Sequence, residues 1–119
     1  MSRIKIENDQ LVITMQGARK FFTMKSELCI PLENVTGATT EFNWKKEAPK
    51  LGQKRIGADA YGFYFGGTFK QDGNKIFYDI KKKEDAVVIS LNDTEFDTLI
   101  IGVDDPNATA ETITQALKG

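Results

Sequence analysis

Gly67-Thr68-Phe69-Lys70-Gln71-Asp72-Gly73-Asn74-Lys75-Ile76-Phe77-Tyr78-Asp79-Ile80 is the stretch whose reading settles the fold class. Asp72-Gly73 lies between two runs rich in β-branched and aromatic residues. A type I′ turn requires positive φ at both central positions, which Asp-Gly adopts readily. Residues 67–70 and 75–80 are therefore predicted to form a hairpin, with Ile76, Tyr78 and Ile80 on one face by the period-two rule. Downstream, Lys81-Lys82-Lys83-Glu84-Asp85 reads as a polar turn. A strand over 86–91 follows, with Val87, Ile89 and Leu91 alternating. Asn92-Asp93-Thr94 turns the chain again, and 96–103 is the last predicted strand, with Leu99, Ile101 and Val103 on one face.

Past residue 103 the period changes. Asp105 is placed to cap a helix whose first residue is Pro106. Ala110, Ile113, Ala116 and Leu117 follow helical spacing and form one apolar stripe, with Glu111 early and Lys118 in the last turn, as the helix dipole favours. A helix of about a dozen residues is not stable alone, so it must dock on the β structure, burying Ile113 and Leu117.

Upstream, the pattern is again short strands and turns. Arg3-Ile4-Lys5-Ile6-Glu7 and residues 10–15 flank Asn8-Asp9, which is hairpin chemistry, and Leu11, Ile13 and Met15 share a face opposite Val12 and Thr14. Gly17 ends that run. Residues 18–25 read either as an extended segment lined by Phe21, Phe22 and Met24 or as a helical turn over Ala18-Arg19-Lys20-Phe21-Phe22. A strand over 27–30 stops at Pro31, and 35–42 is strand-like with Gly37 at a bulge. Residues 43–59 read as a long loop. Gly62-Phe63-Tyr64-Phe65-Gly66-Gly67 has the glycine density of a phosphate loop but lacks the Gly-Lys-Ser/Thr ending and a following helix, so a kinked aromatic strand is expected.

The 119 residues suit one domain over 1–119, with 40% hydrophobic and 28% charged residues. The chain has no histidine, so His-based acid–base catalysis and His-ligated metals are excluded. The single cysteine, Cys29, excludes an intrachain disulfide and a cysteine-cluster zinc site. It sits between Leu28 and Ile30 and reads as a small buried hydrophobe. The N-terminus lacks a secretory pattern and no apolar stretch approaches the length of a membrane span, so a reducing cytoplasm is expected. The net charge is −1, which gives no general bias toward nucleic acid, but residues 1–83 carry a net +6 and residues 84–119 a net −7. Such a split allows head-to-tail electrostatic contacts.

Gln10-Leu11-Val12-Ile13 with Gly17, Ile30-Pro31-Leu32-Glu33-Asn34-Val35, Gly67-Thr68-Phe69 with Gly73, Phe96-Asp97-Thr98-Leu99, and Asp104-Asp105-Pro106 before a helix together resemble a group of small bacterial proteins with a pleckstrin-homology-like domain. The resemblance implies a mainly β fold: an antiparallel barrel of about seven strands capped by one C-terminal α-helix. It implies binding and scaffolding, and none of its motifs is catalytic. Classical pleckstrin homology domains hold inositol phosphates with basic residues after the first strand, and Arg19 and Lys20 would be the comparable pair here.

The basic loop with Trp44, Lys45, Lys46, Lys50, Lys54 and Arg55 is the other candidate contact surface, either for anionic groups or for a protein partner. Asp104-Asp105, and Asn92-Asp93 with Glu95, do not match calcium-loop spacing, and Asp105 is better explained as a cap. No nucleophile–base constellation can be assembled. The expectation is thus a non-enzymatic protein-interaction or self-assembly module without cofactor or metal, binding a protein partner or itself. Weak anionic-surface binding is the alternative, and no specific nucleic-acid binding is expected.

Overall fold

The computed structural model describes residues 3–15, 27–42, 55–59, 64–71, 73–81 and 84–119. Arg3–Glu7 (β1), Gln10–Thr14 (β2) and Glu27–Pro31 (β3) form an antiparallel three-stranded sheet in the order β1-β2-β3. Asn8 (φ 51°) and Asp9 (φ 60°) both occupy the left-handed region, the pair of torsions that a type I′ turn demands. A 3-10 turn over Leu32–Asn34 then leads into the second sheet.

The second sheet has six strands: Val35–Thr39 (β4), Arg55–Asp59 (β5), Tyr64–Gln71 (β6), Asn74–Lys81 (β7), Ala86–Leu91 (β8) and Thr98–Gly102 (β9). Their order is β4-β8-β9-β7-β6-β5. The register of β4 on β8 shifts between Val35 and Gly37, the bulge expected at that glycine. The β6–β7 hairpin closes on the pair Gln71↔Asn74, with Gly73 at φ 84°. Gly67, at φ 108°, kinks β6 in a conformation that side chains with a Cβ rarely adopt.

Two expectations need correction. The closed antiparallel barrel is not what the ladders describe: there are two separate sheets, and β9 inserts between β7 and β8, running parallel to β7 and antiparallel to β8. Asp97 holds this insertion. Its N–H donates to the Lys75 carbonyl (2.8 Å), its Oδ2 accepts the Lys75 N–H (2.8 Å), and its carbonyl accepts the Leu91 N–H (3.0 Å). The long loop expected over 43–59 is also interrupted, because 55–59 is the edge strand β5, paired with β6 from Arg55↔Phe69 to Asp59↔Phe65. Gly57 and Ala58 weaken the usual strand signal there, and pairing with β6 supplies what propensity lacks.

The core lies between the sheets. Leu11, Ile13, Met15, Leu28 and Ile30 from the small sheet meet Phe77, Val87, Ile89, Leu91, Leu99 and Ile101 from the large one, joined by Phe96, Val103 and Ile113. Pro106–Lys118 (α1) begins at Asp105, whose carboxylate accepts the Ala108 N–H at 3.0 Å, as the sequence predicts. Ile113 is fully buried, whereas Leu117 and Ala110 are partly buried against the same core. The helix touches β4 and β8 of one sheet and β1 of the other. It is therefore lodged at the seam between the sheets.

A barrel would place the alternating apolar sets of all strands on one interior wall. Instead Ile76, Tyr78 and Ile80 lie on the reverse of the large sheet with Phe69, Ala86, Val88 and Ile100, where Phe69 (5.2 Å) and Phe42 (6.4 Å) meet the Tyr78 ring edge-on. The parallel pairing Tyr78↔Ile100 and Phe77↔Leu99 assigns the two faces. Strands β7, β8 and β9 are thus apolar on both faces, as sheets containing parallel strands commonly are. Asp79, fully buried on β7 between Gly66 and Ile101, is the buried charged residue of this region, and its carboxylate is partnered.

Candidate functional site

The three-stranded sheet has β1 and β3 as its edges, and among the described residues the ladder neighbour of β1 is β2 alone. A two-residue turn makes its flanking pair, Glu7↔Gln10, the hydrogen-bonded one, and pairing then alternates. Arg3, Lys5 and Glu7 consequently direct their backbone groups at β2. The N–H and C=O of Ile4 and Ile6 point the other way. Beside this edge lies a shallow groove bounded by Ile4, Lys5 and Ile6 on one side and by Asp105, Ala108, Thr109 and Thr112 of the helix on the other.

The walls follow from the sequence. The side chains of Ile4 and Ile6 pack toward the core, which fixes the tilt of β1. On the helix, the Thr109 hydroxyl donates to the Asp105 carbonyl and the Thr112 hydroxyl to the Ala108 carbonyl, both at 2.9 Å, so neither hydroxyl is held out toward the groove. Ala108 is small and leaves room. At the rim Lys5 Nζ lies 2.7 Å from Glu7 Oε2. That hydrogen bond, and then the attraction of the same carboxylate, holds the Lys5 ammonium above its ordinary pKa.

A second, open depression is bounded by Thr40, Phe42, Glu84, Asp85, Ala86, Pro106 and Asn107. Two of its polar groups bond to backbone. Glu84 Oε1 accepts the Lys81 N–H at 3.0 Å, and the side chain folds over Gly102, where a Cβ would collide with it. The Asp85 carbonyl accepts the Val103 N–H at 3.2 Å. This depression is a joint between the β7–β8 turn and the start of the helix.

Cys29 is exposed, not buried as its neighbours suggested. Because Leu28 and Ile30 both point into the core, period-two alternation sends Cys29 to the outer face, opposite Val12. Its Sγ lies 3.5 Å from Glu27 Oε1. Partial desolvation first, then the hydrogen bond to Glu27 and its negative charge, hold the thiol above its ordinary pKa, so it is a weak nucleophile.

Of the residues singled out from sequence, Arg19, Lys20, Trp44, Lys45, Lys46, Lys50 and Lys54 lie outside the described residues. Arg55 opens β5 at the edge of the large sheet, and its side chain is not among those described. Sequence reasoning did not select Ile4, Lys5 and Ile6. Their alternation with Arg3 and Glu7 marked a strand, but nothing in it marked a free edge. Among the described residues no three His, Cys, Asp or Glu side chains gather as a metal site would require, and no described helix is long and apolar enough to cross a membrane. Comparison with protein-family models, curated proteins and solved structures finds no match.

Proposed function

We propose that this chain is a non-enzymatic protein-interaction module that works by strand addition at β1. The observation that carries this reading is the pair of outward-facing peptide units at Ile4 and Ile6, set beside a groove and paired with no other strand among the described residues. A row of backbone donors and acceptors at a sheet edge is matched best by another extended backbone. The two-sided packing of β7, β8 and β9 supports a rigid support for that edge rather than a reaction chamber. The two facing sheets with a C-terminal helix at their seam support a split relative of the pleckstrin-homology-like architecture, in which the parallel β7–β9 pair is a departure. The exposed thiol of Cys29 favours a reducing compartment such as the cytoplasm.

Amide hydrogen exchange tests the reading. It is measured on dilute protein, on concentrated protein, and on dilute protein with an added synthetic peptide of alternating Val and Thr. Protection of Ile4 and Ile6 is expected to rise on concentration or on peptide addition. Exchange of both amides at the free-peptide rate under all three conditions would overturn it.

A further inference from the structure

Resting on the strand-addition reading, we infer that the occupant of the β1 edge is β1 of a second copy of this chain, paired antiparallel about a two-fold axis through Lys5. The sequence of the strand is self-complementary about that residue. In this register Arg3 faces Glu7 of the second copy, Ile4 faces Ile6, and Lys5 faces Lys5, with every contact repeated by the symmetry. The hydrogen-bond phase agrees. The outward peptide units belong to Ile4 and Ile6, and the register makes Ile4↔Ile6 the hydrogen-bonded pair, so each copy uses both of its outward N–H groups and both of its outward carbonyls, which no described strand pairs. Shifting the strands by two residues, so that Ile6 faces Ile6, leaves Ile4 opposite Asn8 of the turn and breaks the ladder.

Charge supports the same choice. The outward side chains of β1 read positive, positive, negative along the strand, and an antiparallel mate presents them in reverse, so both ends pair opposite signs. The one unfavourable pair is Lys5 against Lys5 at the axis. It is tempered because each ammonium already lies 2.7 Å from its own Glu7 carboxylate. The groove beside Ala108 supplies space for the approaching backbone.

Sedimentation equilibrium of the whole chain, from dilute solution to about 1 mM, decides the matter. The expected result is a concentration-dependent dimer. Arg3→Glu and Glu7→Arg should each weaken it roughly tenfold, because symmetry counts each pair twice. The double variant Arg3→Glu/Glu7→Arg should restore it, which a variant acting only through misfolding would not do. Lys5→Thr should tighten it by removing the axial repulsion. A dimer indifferent to all four variants would place association elsewhere and overturn the inference. A monomer at every concentration overturns it as well. If the alternating Val/Thr peptide still protects Ile4 and Ile6 of that monomer, the second copy alone is rejected. If those amides exchange freely throughout, the strand-addition reading falls with it.

Discussion

At the scale of single residues, the outcome for Cys29 turns on alternation. A cysteine flanked by Leu28 and Ile30 looks buried when hydrophobicity is averaged along the chain. It is exposed once strand geometry is applied, because neighbours in a strand point to opposite faces. Partial desolvation, and after it the carboxylate of Glu27, then keep its thiol protonated to higher pH. Raising a thiol pKa lowers the thiolate fraction at any pH below it, so alkylation near neutrality is slow. Glu27→Gln removes the charge and weakens the hydrogen bond. The midpoint of the rate–pH profile for iodoacetamide should therefore move down and the rate at neutral pH should rise. An unchanged profile would show that Glu27 does not govern the thiol. Asp9 offers a second residue-scale test. It holds φ 60° in the first hairpin, a conformation in which glycine has no steric penalty. Its carbonyl, which accepts the Leu32 N–H at 3.0 Å, is retained in any substitution. Asp9→Gly is expected to stabilise the protein by about 0.5 kcal/mol in urea unfolding, since Asn-Gly suits a type I′ turn better than Asn-Asp.

At the scale of elements, the helix is the clearest case of local chemistry writing its own boundary. Asp105 satisfies the Ala108 N–H with its side chain and the Thr109 N–H with its carbonyl, and Pro106 occupies a position whose N–H would have no helical partner. Asp105→Ala should cost about 1 kcal/mol, seen as a fall in Tm of roughly 3–6 °C. Asp105→Asn, which keeps an acceptor oxygen, should recover most of that loss. Strand β9 is the opposite case. Its alternation of Leu99, Ile101 and Val103 was plain, but its neighbours were not. Alternation reports which face a residue occupies and is silent about the strand alongside. The clamp formed by Asp97 on Lys75 and Leu91 joins residues 22 and 6 positions away in sequence. Lys75 lies outside any short window around Asp97, so no local pattern marks the clamp.

At the scale of the whole molecule, Ile113 ties the structure together. It enters a core built from both sheets, and the helix bearing it touches β1, β4 and β8. Ile113→Ala should destabilise by about 2–5 kcal/mol, the range for truncating a fully buried aliphatic side chain. Leu117→Ala, at a partly buried position, should cost clearly less. The reverse order in chemical denaturation would mean that the helix is held by its C-terminal turn instead of by the seam. Two backbone lashings assist. The Asn34 side chain donates to the Asn92 carbonyl at 3.1 Å and the Asn92 N–H to the Asn34 carbonyl at 2.9 Å, fastening the 3-10 turn between the sheets to the β8–β9 turn. The sequence expectation that Ile113 and Leu117 would stopper a β wall was thus right about the docking stripe. It missed how the wall is made: two sheets meet, and the larger carries a second apolar face around Tyr78.

Residues close in sequence were enough to determine the β-rich class, the turn at Asn8-Asp9, the hairpin that closes on Gln71↔Asn74, the inward set of Leu11, Ile13 and Met15, and the capped amphipathic helix. Each of these depends on torsional preferences and periodicities that act over a few residues. Only the tertiary structure decided that β9 lies between β7 and β8, that residues 55–59 complete a sheet, and that the backbone of Ile4 and Ile6 is left facing a groove. Those outcomes depend on which distant segments meet, and the free energy of such meetings comes from apolar area and hydrogen bonds shared between segments, a quantity that belongs to neither strand alone.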